Sequence, residues 1–153
     1  MRPLSNDLRE FIRLLASEQV EYLIVGAWSL AFHGRPRYTG DVDIFVRRDP
    51  ANADRLIRVI RDFGFGGTGI TREDFLKEDY VIQLGVEPNR LDLLTGISGV
   101  TFEAAWATRA SGCLGDSTVW FISRDLLIQN KLASNREKDL ADVRLLQATR
   151  PPS

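Results

Sequence analysis

Between Asp41 and Val46 the chain reads Asp-Val-Asp-Ile-Phe-Val, and this strict alternation leaves few ways to fold. A side-chain period of two places Val42, Ile44 and Val46 on one face of a strand and Asp41, Asp43 and Phe45 on the other. Slipping the register by one residue would drive two carboxylates into the core, so the aliphatic face must be the buried one. The strand therefore belongs to a sheet covered on at least one side, and it carries an acidic pair on the opposite side.

The elements around it follow from local pattern. Ser5 is placed to cap a helix whose stripe is Leu8, Phe11, Ile12 and Leu15, ending near Glu18. Tyr22 to Val25 reads as a short buried strand closed by Gly26, with a short helix from Ala27 to about His33 after it. Asp49-Pro50 starts a helix to about Asp62, and the glycine-rich stretch from Phe63 to Thr71 reads as irregular. Tyr80–Val86 and Arg90–Leu94 form an antiparallel hairpin around Glu87-Pro88-Asn89. A helix through Trp106, a loop from Ser111 to Asp116 and a strand from Thr118 to Ile122 come next. Ser123 caps a helix containing Leu126, Leu127 and Leu132, and a last helix runs from Arg136 or Glu137 to Ala148. Helices and strands interleave, yet the hairpin argues against a purely parallel sheet. The expected fold class is α+β (mixed α/β), a small mixed sheet flanked by helices with a helical C-terminal segment, as one domain over residues 1–150.

Charge and cysteine content exclude several classes. Lys and Arg number 20 against 21 Asp and Glu, so no global basic field draws nucleic acid, although Arg35, Arg37, Arg47 and Arg48 gather near the acidic strand. Single copies of Cys113 and His33 rule out an intrachain disulfide and a Cys/His metal site. The absence of a long apolar run and of a signal-like start gives a cytoplasmic chain with no membrane partner as the expectation.

Asp41 and Asp43 reach the same side of their strand, where a hard divalent cation would relieve their repulsion and bridge phosphate oxygens. Asp92, between the apolar Leu91 and Leu93, leaves its strand on the matching face and can add a third carboxylate if the strands are neighbours. An Asp-x-Asp strand is most often plain surface. Here it follows Gly26-Ala27, a strand-to-helix junction whose amides can meet a phosphate, and Arg35, Arg37 and Thr39, side chains suited to triphosphate oxygens. His33 reads as structural, Trp28, Trp106 and Trp120 as core anchors, with Trp28 a possible wall of a base pocket. Gly64 to Gly69 reads as a turn, because it follows a helix rather than a strand.

The stretch from Val25 to Phe45, with Gly26-Ala27, Arg35-Pro-Arg37, Thr39 and Asp41-Val-Asp43, resembles the signature of the nucleotidyltransferase superfamily that includes DNA polymerase beta. The run Leu127 to Asp142, with Lys131, Arg136, Lys138, Asp139 and Asp142, is similar to the tail of small bacterial nucleotidyltransferase-like proteins, including AbiE-type toxins of toxin–antitoxin systems. The resemblance implies transfer of a nucleoside monophosphate from an NTP such as ATP to a hydroxyl-type acceptor, with loss of pyrophosphate. It implies Mg²⁺ or Mn²⁺ on Asp41 and Asp43, with Asp92 as a shared ligand or general base. Gly26 and Ala27 would meet the phosphates, and Arg37 and Lys131 would balance their charge. The implied partners are an NTP, an acceptor (tRNA or other RNA, protein or small molecule), and a cognate antitoxin or second copy. Ala27 departs from the Gly or Ser usual at the second turn position, so a catalytically weak nucleotide-binding or protein-interaction module of the same fold is the competing expectation. For Lys131 the alternative to a charge partner is a residue that simply solubilises its helix.

Overall fold

The structure, a computed structural model, describes residues 6–34, 41–85, 90–114 and 116–148. In chain order these form α1 (Asn6–Ser17), β1 (Tyr22–Val25), α2 (Gly26–Phe32), β2 (Val42–Val46), α3 (Pro50–Ile60), β3 (Val81–Leu84), β4 (Leu91–Leu94), α4 (Phe102–Ala107), β5 (Ala110–Leu114), β6 (Ser117–Phe121), α5 (Arg124–Ser134) and α6 (Glu137–Ala148). The cap for the first helix, the turn at Glu87-Pro88-Asn89 and the chain end at Pro151 lie outside the described residues.

The strands make one mixed sheet in the order β3-β4-β2-β1-β6-β5. Strand β1 runs antiparallel to β2 and parallel to β6, while β2 and β4 are parallel and the β3–β4 hairpin is antiparallel as expected. Alternation sorts the side chains into two cores. Leu8, Phe11, Ile12 and Leu15 of α1 and Leu56, Val59 and Ile60 of α3 pack with Ile24, Val42, Ile44, Val46 and Leu93 on one face. Leu23, Val25 and Phe45 pack on the other face with Phe102, Ala105, Leu127 and Leu146. That second face is the one to which Asp41, Asp43 and Asp92 belong.

Side-chain caps fix where the helices begin. Asp49 accepts from the Asn52 amide at 2.7 Å with Pro50 in the first turn, and Ser123 accepts from Leu126 at 3.2 Å. Asn52, fully buried, ties α3 to the sheet: it accepts from the Glu21 amide at 2.8 Å and donates to the carbonyls of Glu21 and Arg47 at 3.1 and 2.9 Å.

Two expectations need correction. Ser111 to Asp116 is not all loop, because Ala110–Leu114 pairs with β6 from Ala110↔Phe121 to Leu114↔Ser117. The segment Ala-Ser-Gly-Cys-Leu has no apolar alternation, and it becomes a strand by pairing at the sheet edge. The stretch from Phe63 to Thr71, expected to be irregular, begins inside a π-helical turn, Arg61–Phe65, with Gly64 at φ 100°; just beyond it a 3₁₀ turn, Arg72–Leu76, buries Phe75. Among the described residues no helix is long and apolar enough to cross a membrane.

Candidate active site

Asp43 and Asp92 face each other because β2 and β4 pair in parallel with Asp43↔Asp92 in register. Asp41 lies two residues before Asp43, on the same side. The β1–α2 junction closes the site from above: Gly26 adopts φ +66°, and a Cβ built there would stand 2.4 Å from Asp43 Oδ2. Only a residue without a side chain lets this turn lie against the carboxylate, so the glycine is a requirement of the site as well as of the turn.

These residues share one pocket of about 410 Å³, lined by Gly26, Ala27, Asp41, Asp43, Arg90, Asp92, Lys131, Arg136, Lys138 and Asp139. The sequence expectation thus meets in one place for Gly26, Ala27, Asp41, Asp43, Asp92 and Lys131. Arg35, Arg37 and Thr39 lie outside the described residues. Ser29 donates to the Gly26 carbonyl at 2.7 Å and does not line the pocket.

Charge inside the pocket is strongly organised. Burial, then the neighbouring charges of Asp92 and Asp41, push the Asp43 carboxyl up to about 6, against the opposing pull of Arg90. Arg90 forks onto Asp92, Nε donating to Oδ1 at 2.8 Å and Nη2 to Oδ2 at 3.2 Å, and the same Nη2 lies 3.3 Å from Asp41 Oδ2. On the opposite wall the buried Lys131 Nζ donates to Asp142 at 3.0 Å and Asp139 at 3.5 Å. Asp139 also accepts from Ser134 at 2.7 Å and Arg136 at 2.6 Å. Burial alone would raise the Asp139 carboxyl; the hydrogen bonds from Arg136 and Ser134 and the charge of Lys131 outweigh it and hold the group at about 2.

The carboxylates supply hard oxygen donors of the kind Mg²⁺ and Mn²⁺ take, and Gly26 leaves open approach to one of them. Among the described residues, however, no three His, Cys, Asp or Glu side chains are gathered into a ready-made metal cage. The Arg90 guanidinium holds both oxygens of Asp92.

Sequence reasoning passed over Arg90, Arg136 and Lys138 as pocket residues. For Arg90 the signal was present, since it stands two residues before Asp92 on an alternating strand and must share its face. Arg136 and Lys138 reach the pocket only through the α5–α6 turn, where Asn135 takes the left-handed conformation at φ 56°, and no spacing rule reports that.

Several other residues resolve to structure. Trp28 is buried in the α1–α3 core rather than walling the pocket. His33 is buried with Nε2 2.8 Å from the Ile122 carbonyl, and burial holds its pKa below the ordinary value. Cys113 is exposed on the edge strand β5.

The chain trace matches two solved structures along nearly its whole length. The crystal structure of the lincosamide antibiotic adenylyltransferase LnuA with lincomycin bound aligns with TM-score 0.55 and 15% identity over 97% of this chain and 99% of that one. An antigenic nucleotidyltransferase-like protein from Paracoccidioides brasiliensis aligns with TM-score 0.53 and 18% identity over 96% of this chain and 77% of its own. The fold is nucleotidyltransferase-like. No protein-family model and no curated protein sequence matches the chain, so the likeness speaks for the nucleotidyltransferase-like fold and not for the AbiE subtype. The mixed sheet, the flanking helices and the C-terminal helix pair agree with the class expected from the sequence.

Proposed function

We propose that the chain is a divalent-cation-dependent nucleotidyltransferase that moves a nucleoside monophosphate from an NTP to a hydroxyl-type acceptor and releases pyrophosphate. One observation carries this reading: Asp41, Asp43 and Asp92 line a single pocket under the Gly26–Ala27 turn, in a nucleotidyltransferase-like fold. Asp41 and Asp43 would hold the metal, with Asp92 joining them, and a bound Mg²⁺ or Mn²⁺ would supply charge for the phosphates and polarise the phosphorus. The chain's own residues account for the rest. Gly26 lets the triphosphate approach the backbone, and Arg136 and Lys138 present positive charge at the pocket wall. Lys131 props that wall by neutralising Asp139 and Asp142. The acceptor oxygen attacks the α-phosphorus as the bond to the β-phosphate oxygen breaks, and a carboxylate of the cluster takes the acceptor proton.

A small-molecule hydroxyl is the acceptor we favour, because the lincosamide antibiotic adenylyltransferase LnuA, whose crystal structure holds lincomycin, is matched over 99% of its own chain. RNA and protein acceptors are the other outcomes of the assay, and an RNA acceptor would support the AbiE-type resemblance of the Lys131–Asp142 segment. The assay incubates the protein with α-³²P-labelled NTPs, Mn²⁺ or Mg²⁺ and fractionated small molecules, RNA and protein. Label transfer lost in both Asp41→Ala and Asp43→Ala supports the enzyme. Nucleotide binding without transfer to any fraction supports the non-catalytic binding module, a reading favoured by Ala27 and by the Arg90 fork on Asp92.

A further inference from the structure

The acidic cluster already contains a cation, and it belongs to the chain. Lys131 is held by Asp142 and Asp139, and Arg136 lies on Asp139, so these two face the α6 wall. Arg90 turns instead toward the strand carboxylates, gripping Asp92 with two nitrogens and reaching Asp41 with one of them. Its side chain is 26% exposed, against 11% for that of Asp92, so the fork is partly sheltered and has an open path toward the pocket.

We propose that Arg90 is the built-in counter-cation of this cluster, and that a divalent cation enters only as the guanidinium lets go of Asp41 and Asp92. The reasoning is electrostatic and geometric. Direct metal–oxygen bonds are about 2.1 Å long, so an ion seated on Asp92 and Asp41 would stand within a few ångströms of a guanidinium that keeps its present position. Two like charges at that separation in a partly buried site exclude one another. Metal uptake and Arg90 release are then one event, and Arg90 sets how tightly and with how many ligands the bare protein binds a metal. It is a positioning residue in the resting state, acting through Asp92 and Asp41.

The inference rests on the proposed metal site but on neither nucleotide nor turnover, and its test uses Mn²⁺ alone. Free Mn²⁺ is counted by electron paramagnetic resonance during titration of the wild type, Arg90→Gln and Arg90→Lys, with circular dichroism confirming that each is folded. Charge-assisted forks of this kind correspond to roughly ten- to hundredfold in an equilibrium constant. Arg90→Gln should therefore bind Mn²⁺ tighter by about that factor. Arg90→Lys keeps the charge and loses the fork, so it should fall between the two. In Arg90→Gln/Asp92→Asn most of the gain should disappear. Affinity unchanged or weakened in Arg90→Gln overturns the proposal, and so does Arg90→Lys binding identically to wild type, which would leave only a general charge effect. Loss of transfer activity with the Mn²⁺ pattern intact would count against the proposed function and leave the role of Arg90 standing.

Discussion

Replacing Asp43 by Asn should stabilise the metal-free protein at neutral pH, and the gain should vanish in acid. The carboxyl of Asp43 is raised from 3.8 to about 6 by burial and by its acidic neighbours. Its folded pKa thus lies above its unfolded one, so the folded state binds the proton more tightly. Below pH 4 both states are protonated and no penalty exists. As pH rises from about 4 to 6 the unfolded chain ionises first and stability falls, and above pH 6 the full penalty is present. A shift of about two units corresponds to about 3 kcal/mol, and partial access to water reduces this to about 2 kcal/mol. Asn mimics the protonated carboxyl and carries no penalty at any pH. For a domain of this size the difference is about 4–8 °C in melting temperature at pH 8. Thermal unfolding of both proteins with EDTA, followed by circular dichroism from pH 4 to 8, measures it. The depressed Asp139 has the opposite pH trend but is common to both proteins and cancels. A variant no more stable than wild type at pH 8, or an equal gap at pH 4, would refute the claim that these three carboxylates crowd one another.

Gly26→Ala should cost about 1–2 kcal/mol for the left-handed backbone and should also displace Asp43, so Mn²⁺ titration would show weakened binding even where the protein remains folded. Lys131→Met leaves Asp139 and Asp142 buried without their cation, and urea unfolding should record a loss of about 3–5 kcal/mol, partly recovered when Asp142→Asn is added. Asn52→Ala strips partners from the Glu21 amide and the Glu21 and Arg47 carbonyls, so chemical denaturation should show about 2–3 kcal/mol of destabilisation with little change at the acidic pocket.

Much of the fold was legible because its decisive strands carry clear apolar patterns. The Asp41–Val46 segment announces its faces by alternation, Tyr22–Val25 announces by its unbroken apolar run that it is buried on both, and the placement of Asp92 beside Asp43 follows once the strands are neighbours. Strand β5 was illegible because Ser111, Gly112 and Cys113 carry no buried face; the hydrogen bonds of β6 define it. The 3₁₀ turn did leave a trace, a reciprocal cap between Thr71 and Asp74, but five residues with one buried phenylalanine make little pattern. At the site, sequence located the acids and missed what balances them. Three apart on one helical face, Asp139 and Asp142 are spaced both for a local ion pair with Arg136 and for holding Lys131, whereas their burial depends on how α6 folds back along α5.

The parallel pairing of β2 with β4 has a consequence for how the protein matures. Parallel neighbours cannot be joined by a hairpin, and here the whole excursion through α3 and β3 must close before Asp92 arrives opposite Asp43. Helix α3 and the β3–β4 hairpin are local and can form early, but the pocket is a long-range product of the completed chain. A partly folded molecule therefore carries the β1–β2 half of the acidic site without its third carboxylate or Arg90. On the proposed function, competence to bind metal would come only with that closure, and a nascent or damaged chain would lack it.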